Sequence, residues 1–166
     1  MTDYATKEAN RNMNTPLAEL RARYLLEVKA AYNMHYDSGL MAPESWIILM
    51  NSISDGLDKC DEELHDWKYL HGLVRYGCMF KLGIYWQKLG CMGPLMRRWV
   101  YREVSMIYDV FQNYMVCSYH ALELLNELSS VDHEEIEKVK AESRANQEIV
   151  RDELMNMRAG YPGLMK

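Results

Sequence analysis

The sequence predicts an all-α fold, an irregular bundle of about five helices around one long central helix. Three observations carry that expectation. From Pro94 to Leu128 no further proline or glycine interrupts the chain. Within it Val100, Val104, Ile107, Phe111, Tyr114, Ser118, Ala121, Leu125 and Leu128 alternate spacings of four and three, the spacing of one helix face. Tyr101, Tyr108, Met115 and Leu122 recur every seven residues beside it, which leaves a polar stripe of Arg98, Arg102, Ser105, Asp109, Gln112 and Asn113. A helix apolar over most of its circumference has to be wrapped by protein or lie on lipid. No segment of the chain reads as a strand. Val104, Ile107, Phe111, Tyr114 and Leu125 are the expected core of the long helix.

The other elements follow in chain order. Residues 1–14 read as a polar tail, and 15–166 as a single helical domain. Thr15-Pro16 is a helix start, a hydroxyl cap followed by proline in the first turn. The first helix spans about 16–37, with Leu17, Leu20, Tyr24, Val28, Ala31 and His35 on one face and Leu25 and Tyr32 beside it. Asp37-Ser38-Gly39 stops it, because Gly39 can take the left-handed conformation. A second helix over about 43–58 opens at Pro43 and buries Trp46, Leu49, Met50, Ile53 and Leu57. The short link predicts an antiparallel hairpin. A helical stretch over about 64–89 is punctuated by Gly72, Gly77, Gly83 and Gly90, each interior glycine costing about 1 kcal/mol relative to alanine. A short helix around Trp67, a break near Gly72 to Gly77 and then a helix ending at Gly90 are expected. The long helix over 94–128 ends at Ser129-Ser130. Asp132 and Glu135 form a capping box for a last helix over about 132–158, with Ile136, Val139, Ser143, Ile149, Val150, Leu154 and Met157 on its apolar side.

Composition limits the function classes. The chain has 166 residues and a formal net charge of -5, which argues against generic nucleic-acid binding. The four cysteines lack metal or redox spacing, and Met1–Thr15 has no apolar stretch, so a reducing cytosolic setting is expected. No run is long and apolar enough to span a bilayer.

A catalytic constellation is not found in the sequence, and neither a metal nor a cofactor is expected. The glycines make no phosphate loop. Glu62 and His65 supply only half of a carboxylate–histidine metal pattern. Asp55, Asp58 and Asp61 fall at intervals of three, unlike a calcium loop. Cys117 and His120 could share a helix face, but no orienting group or oxyanion site accompanies them.

The charge is unevenly spread. Between Leu64 and Arg102 seven basic residues face one acidic residue, Asp66. Lys81, Trp86, Lys88, Arg97, Arg98, Trp99 and Arg102 are therefore candidate contacts for an acidic protein partner or an anionic membrane surface. The bland alternative is internal pairing with the acidic last helix. The long helix also carries its charges against its own dipole, basic at Arg97, Arg98 and Arg102 and acidic at Glu123–Glu127.

Several motifs together resemble the cytosolic helical region of large plasma-membrane Na+/H+ exchangers, the plant salt-overly-sensitive type and its protist and sperm-type relatives. Val28-Lys29-Ala30-Ala31-Tyr32, Gly39, Leu49-Met50-Asn51-Ser52-Ile53 through Leu57-Asp58, Asp66-Trp67-Lys68-Tyr69-Leu70, and Ala141-Glu142-Ser143 through Tyr161-Pro162-Gly163-Leu164 carry that resemblance in order. It spans about Leu17 to Met165. It implies a non-catalytic regulatory and oligomerisation domain on the cytoplasmic side of a membrane, packing against a transporter domain or a twin subunit. The family's ion-carrying residues and its nucleotide-binding-like domain have no counterpart here. The alternative is a structural subunit of a large, membrane-associated or organellar complex that reuses the same helical module.

Overall fold

Proline opens two of the helices. In the computed structural model α1 (Pro16–Asp37) and α2 (Pro43–Leu57) both begin on one, where a missing N–H costs no helical bond. They are followed by α3 (Asp66–Val74), α4 (Gly93–Leu125) and α5 (His133–Gly160). The structure describes residues 16–64, 66–74, 93–125 and 133–160. The tail, Thr15, the glycine-broken stretch after Val74, the Ser129-Ser130 stop and Asp132 lie outside them. Among the described residues every regular element is a helix.

The turn between α1 and α2 is made by Gly39. Its φ is 71°, a conformation that costs a residue with a Cβ about 1–2 kcal/mol. That φ lets Gly39 N–H reach Tyr36 O at 3.0 Å and Leu40 N–H reach His35 O at 2.9 Å. These two bonds form a Schellman cap, which satisfies the last carbonyls of α1. The chain then reverses, and α2 runs back along α1. Trp46 donates its indole N–H to Asn33 Oδ1 at 3.0 Å and stacks on Tyr36 with ring centroids 4.9 Å apart. Further along, Gly56 allows close approach. A Cβ there would sit 3.2 Å from Leu25 Cδ1.

The core lies where α1, α2, α4 and α5 face one another, with α3 inserted between them. Leu20, Tyr24, Val28 and Tyr32 come from α1, Leu49 and Ile53 from α2, and Leu70 with Trp67 from α3. The long helix supplies Val110, Phe111, Tyr114, Cys117, Ala121 and Leu125, and α5 supplies Ile136, Val139 and Val150. Trp67 holds α3 against α4, with centroids 5.4 Å from Phe111 and 6.0 Å from Tyr114. At 33 residues, α4 is about 50 Å long at 1.5 Å per residue.

Three residues depart from the face their spacing assigned. Asn113, counted in the polar stripe, is buried. Its amide donates to Asp109 O at 2.9 Å, and its Oδ1 meets His35 Nδ1 at 2.9 Å. The stripe therefore turns inward where α1 covers it. Ile149, assigned to the core side of α5, is exposed, and Val150 is buried beside it. His120 is exposed while Cys117 is buried, so the two do not share an environment.

Candidate functional site

The α1–α2 elbow exposes large apolar side chains. Leu40 is 66% exposed, Ile47 53% and Tyr36 38%. All three lie in the last turn of α1, the Schellman turn or the first turns of α2. Single exposed apolar residues are ordinary, whereas grouped ones mark contact surfaces.

The basic start of α4 runs next to this elbow. Arg102 pairs with Glu44 at 3.5 Å, both ends well exposed. About two helical turns on, Ala42 N–H donates to Asp109 Oδ2 at 3.2 Å. A shallow hollow between them is lined by Ala42, Glu44, Arg102, Glu103, Ser105, Met106 and Asp109. Trp99, one turn before Arg102, is 37% exposed, and Arg98 is exposed beside it. The arrangement thus gathers Arg98, Trp99 and Arg102 with Tyr36, Leu40 and Ile47 toward one end of the bundle. Arg97 belongs to α4, but its side chain lies outside the described residues, as do Lys81, Trp86 and Lys88. Sequence reading did not mark the elbow. The signal was faint, an isolated Leu40 in a turn and an Ile47 one position off the buried face of α2.

The expected core residues of α4 lie inward. Val104, Phe111, Tyr114 and Leu125 are buried, and Ile107 is half-buried against the same cluster. Glu44 supplies the acidic neighbour that the basic start of α4 lacks within its own first turns. An exposed pair of this kind contributes about 0.2–1 kcal/mol.

A second polar assembly is internal. Arg21 of α1 meets Glu142 of α5 with Nε–Oε2 at 3.0 Å and a parallel second bond. The same guanidinium donates to Cys60 O at 3.4 Å and Asp61 O at 3.3 Å. Glu142 Oε2 also accepts Leu64 N–H at 3.2 Å. Asn146 donates to Leu64 O at 3.1 Å and Asp66 Oδ1 at 3.3 Å. Two helices from opposite ends of the chain thereby satisfy the backbone of the α2–α3 link. Above it, Tyr24 Oη meets Ser143 Oγ at 2.7 Å, and Gln147 donates to Ser143 Oγ at 3.3 Å.

Tyr24, Tyr32 and Tyr114 are fully buried. Burial raises all three hydroxyl pKa values above the usual 10, and the nearby Asp66 charge raises them further. Burial also pushes the Cys117 thiol up to about 12. A thiol held protonated at neutral pH is a poor nucleophile. Cys60 is likewise raised by burial, and its Sγ donates to Leu57 O at 3.1 Å. Glu62 is exposed, and His65 lies outside the described residues. Among the described residues no group of three or more acidic, His or Cys side chains could hold a metal.

Comparison with known proteins finds no matching family model, no similar characterised protein and no similar solved structure. Among the described residues no helix is long and apolar enough to cross a membrane.

Proposed function

We propose that this chain is a non-catalytic regulatory and oligomerisation module that packs through its α1–α2 elbow and the start of α4 against a protein. By its resemblance to the cytosolic region of Na+/H+ exchangers, that protein is a transporter domain or a twin subunit on the cytoplasmic side of a membrane. The observation that carries the reading is exposed Tyr36, Leu40 and Ile47 on the α1–α2 elbow and exposed Arg98, Trp99 and Arg102 on the start of α4, two segments that the Arg102–Glu44 pair and the Ala42–Asp109 bond bring to one end of the bundle. Aromatic and arginine side chains around an apolar centre suit a protein contact. The mechanism is conformational. A signal elsewhere in the assembly changes the relative free energy of two packings of this surface, and the transporter responds to that shift.

The test is to place charge in the elbow. Leu40→Asp with Ile47→Asp should weaken self-association or transporter association at least tenfold, read by sedimentation and by co-purification with the transporter. Helix content and melting should stay near wild type, since both side chains are exposed. Unchanged association with a transporter or twin would overturn the assignment of the surface. Association with a complex that contains no transporter would instead favour a structural subunit. Binding only to anionic vesicles would make the same surface a membrane contact.

A further inference from the structure

At the centre of the bundle several hydroxyls are buried without a partner. Tyr32 Oη, Tyr114 Oη and Ser118 Oγ are all inaccessible and make no hydrogen bond within the protein. Tyr114 and Ser118 are one turn apart on the same face of α4, and Tyr32 reaches them from α1. The Ser118 hydroxyl acts on both Tyr24 and Tyr32, and Asp66 acts on Tyr24, Tyr32 and Tyr114. These groups therefore share one neighbourhood. Ser118 is near enough to Tyr24 and Tyr32, and Asp66 to Tyr114, to act as weak hydrogen-bonding neighbours, yet Tyr32 Oη, Tyr114 Oη and Ser118 Oγ stay outside hydrogen-bond geometry.

An unpaired buried hydroxyl is costly, and an ordered water is the usual remedy when two to four polar groups converge. Each hydroxyl here can donate or accept, so a water can bridge any pair of them. Other ligands fit less well. An anion would lie against the Asp66 carboxylate. An apolar ligand would leave the hydroxyls as they are.

We propose that Tyr32, Tyr114 and Ser118 hold an ordered water molecule beside Asp66, at the junction of α1, α3 and α4. The water completes hydrogen bonding that the side chains leave open. It makes the three helices share one polar joint in an otherwise apolar core.

Magnetic relaxation dispersion of water ¹⁷O counts long-lived internal waters in the intact protein. Wild type should show at least one, and Tyr32→Phe and Ser118→Ala should each lose one. Urea midpoints give an independent reading. With the water present, Tyr32→Phe lowers the midpoint or leaves it unchanged, because a ligand of that water is removed. In a dry joint the same change raises the midpoint, because an unpaired hydroxyl is removed. No long-lived water in wild type, or a raised midpoint for Tyr32→Phe, would overturn the proposal. So would a crystal soaked in thallium that shows a cation at this position.

Discussion

Arg21 and Glu142, 121 residues apart in sequence, form a two-pronged ion pair between α1 and α5. Their side chains are only 7% and 18% exposed. Both ends are used further. The guanidinium binds two carbonyls of the α2–α3 link, and the carboxylate accepts a backbone N–H from the same link. The pair thus fixes the path of a connection that has no regular structure of its own.

Removing both partners should cost less than the two single removals summed. Glu142→Ala leaves a buried guanidinium uncompensated and should cost about 3–5 kcal/mol in chemical denaturation. Arg21→Met combined with Glu142→Leu should cost less than the two single changes summed, with a coupling of about 0.5–3 kcal/mol. Additive losses would mean that the two residues act separately.

Phe111 is fully buried against Trp67. Phe111→Ala should cost about 3–5 kcal/mol in urea unfolding, as for other large-to-small core changes. Val116→Ala, on the exposed side of the same helix, should stay within about 0.5 kcal/mol. Equal losses would mean that the burial of Phe111 adds nothing.

Alkaline pH should destabilise the fold in two stages. Burial raises Cys117 from near 9 to about 12 and raises Tyr24, Tyr32 and Tyr114 above 10. These folded values exceed the unfolded ones, so above the unfolded pKa the unfolded chain binds fewer protons than the folded one. The stability is fully present below about pH 9 and is lost as pH rises, at about 1.4 kcal/mol per pH unit for each such group. Cys117→Ala should reduce the loss that starts near pH 9, leaving the share of Cys60 and the tyrosine loss above pH 10. A flat urea midpoint from pH 8 to 11 would contradict this.

Arg98→Glu with Arg102→Glu should leave the melting temperature within a few degrees of wild type. Both side chains are exposed, and the pair lost to Glu44 is a surface one worth at most about 1 kcal/mol. Partner binding should fall with the charge reversal, with the effect largest at low salt. Unchanged binding together with a large drop in melting would make these arginines internal braces.

Much of the bundle was legible in local chemistry. Pro16, Pro43 and Gly39 announce two helix starts and a stop by backbone geometry alone, so no tertiary knowledge is needed. The face from Val104 through Phe111 and Tyr114 to Leu125 is legible because 3.6-residue periodicity reports burial directly. Asn113 was misread because polarity stands in for exposure only until another helix supplies a partner, here His35. Ile149 was misread because it adjoins Val150 on a thin apolar stripe, where one position shifts the face by about 100°. Arg21–Glu142 and the tyrosine hydroxyls around Asp66 are contacts between distant segments, and no spacing rule encodes them. The elbow surface was missed for a related reason. Leu40 and Ile47 belong to no period, and only the reversal at Gly39 brings them to the same end of the bundle.

The docking claim is tested most directly by cross-linking mass spectrometry on the chain in its native assembly. The account predicts cross-links from the α1–α2 elbow and the Arg98–Arg102 turn to a transporter domain or to a second copy of the chain. Cross-links from that surface to subunits of a complex without a transporter, or an elbow free of intermolecular links, would contradict it.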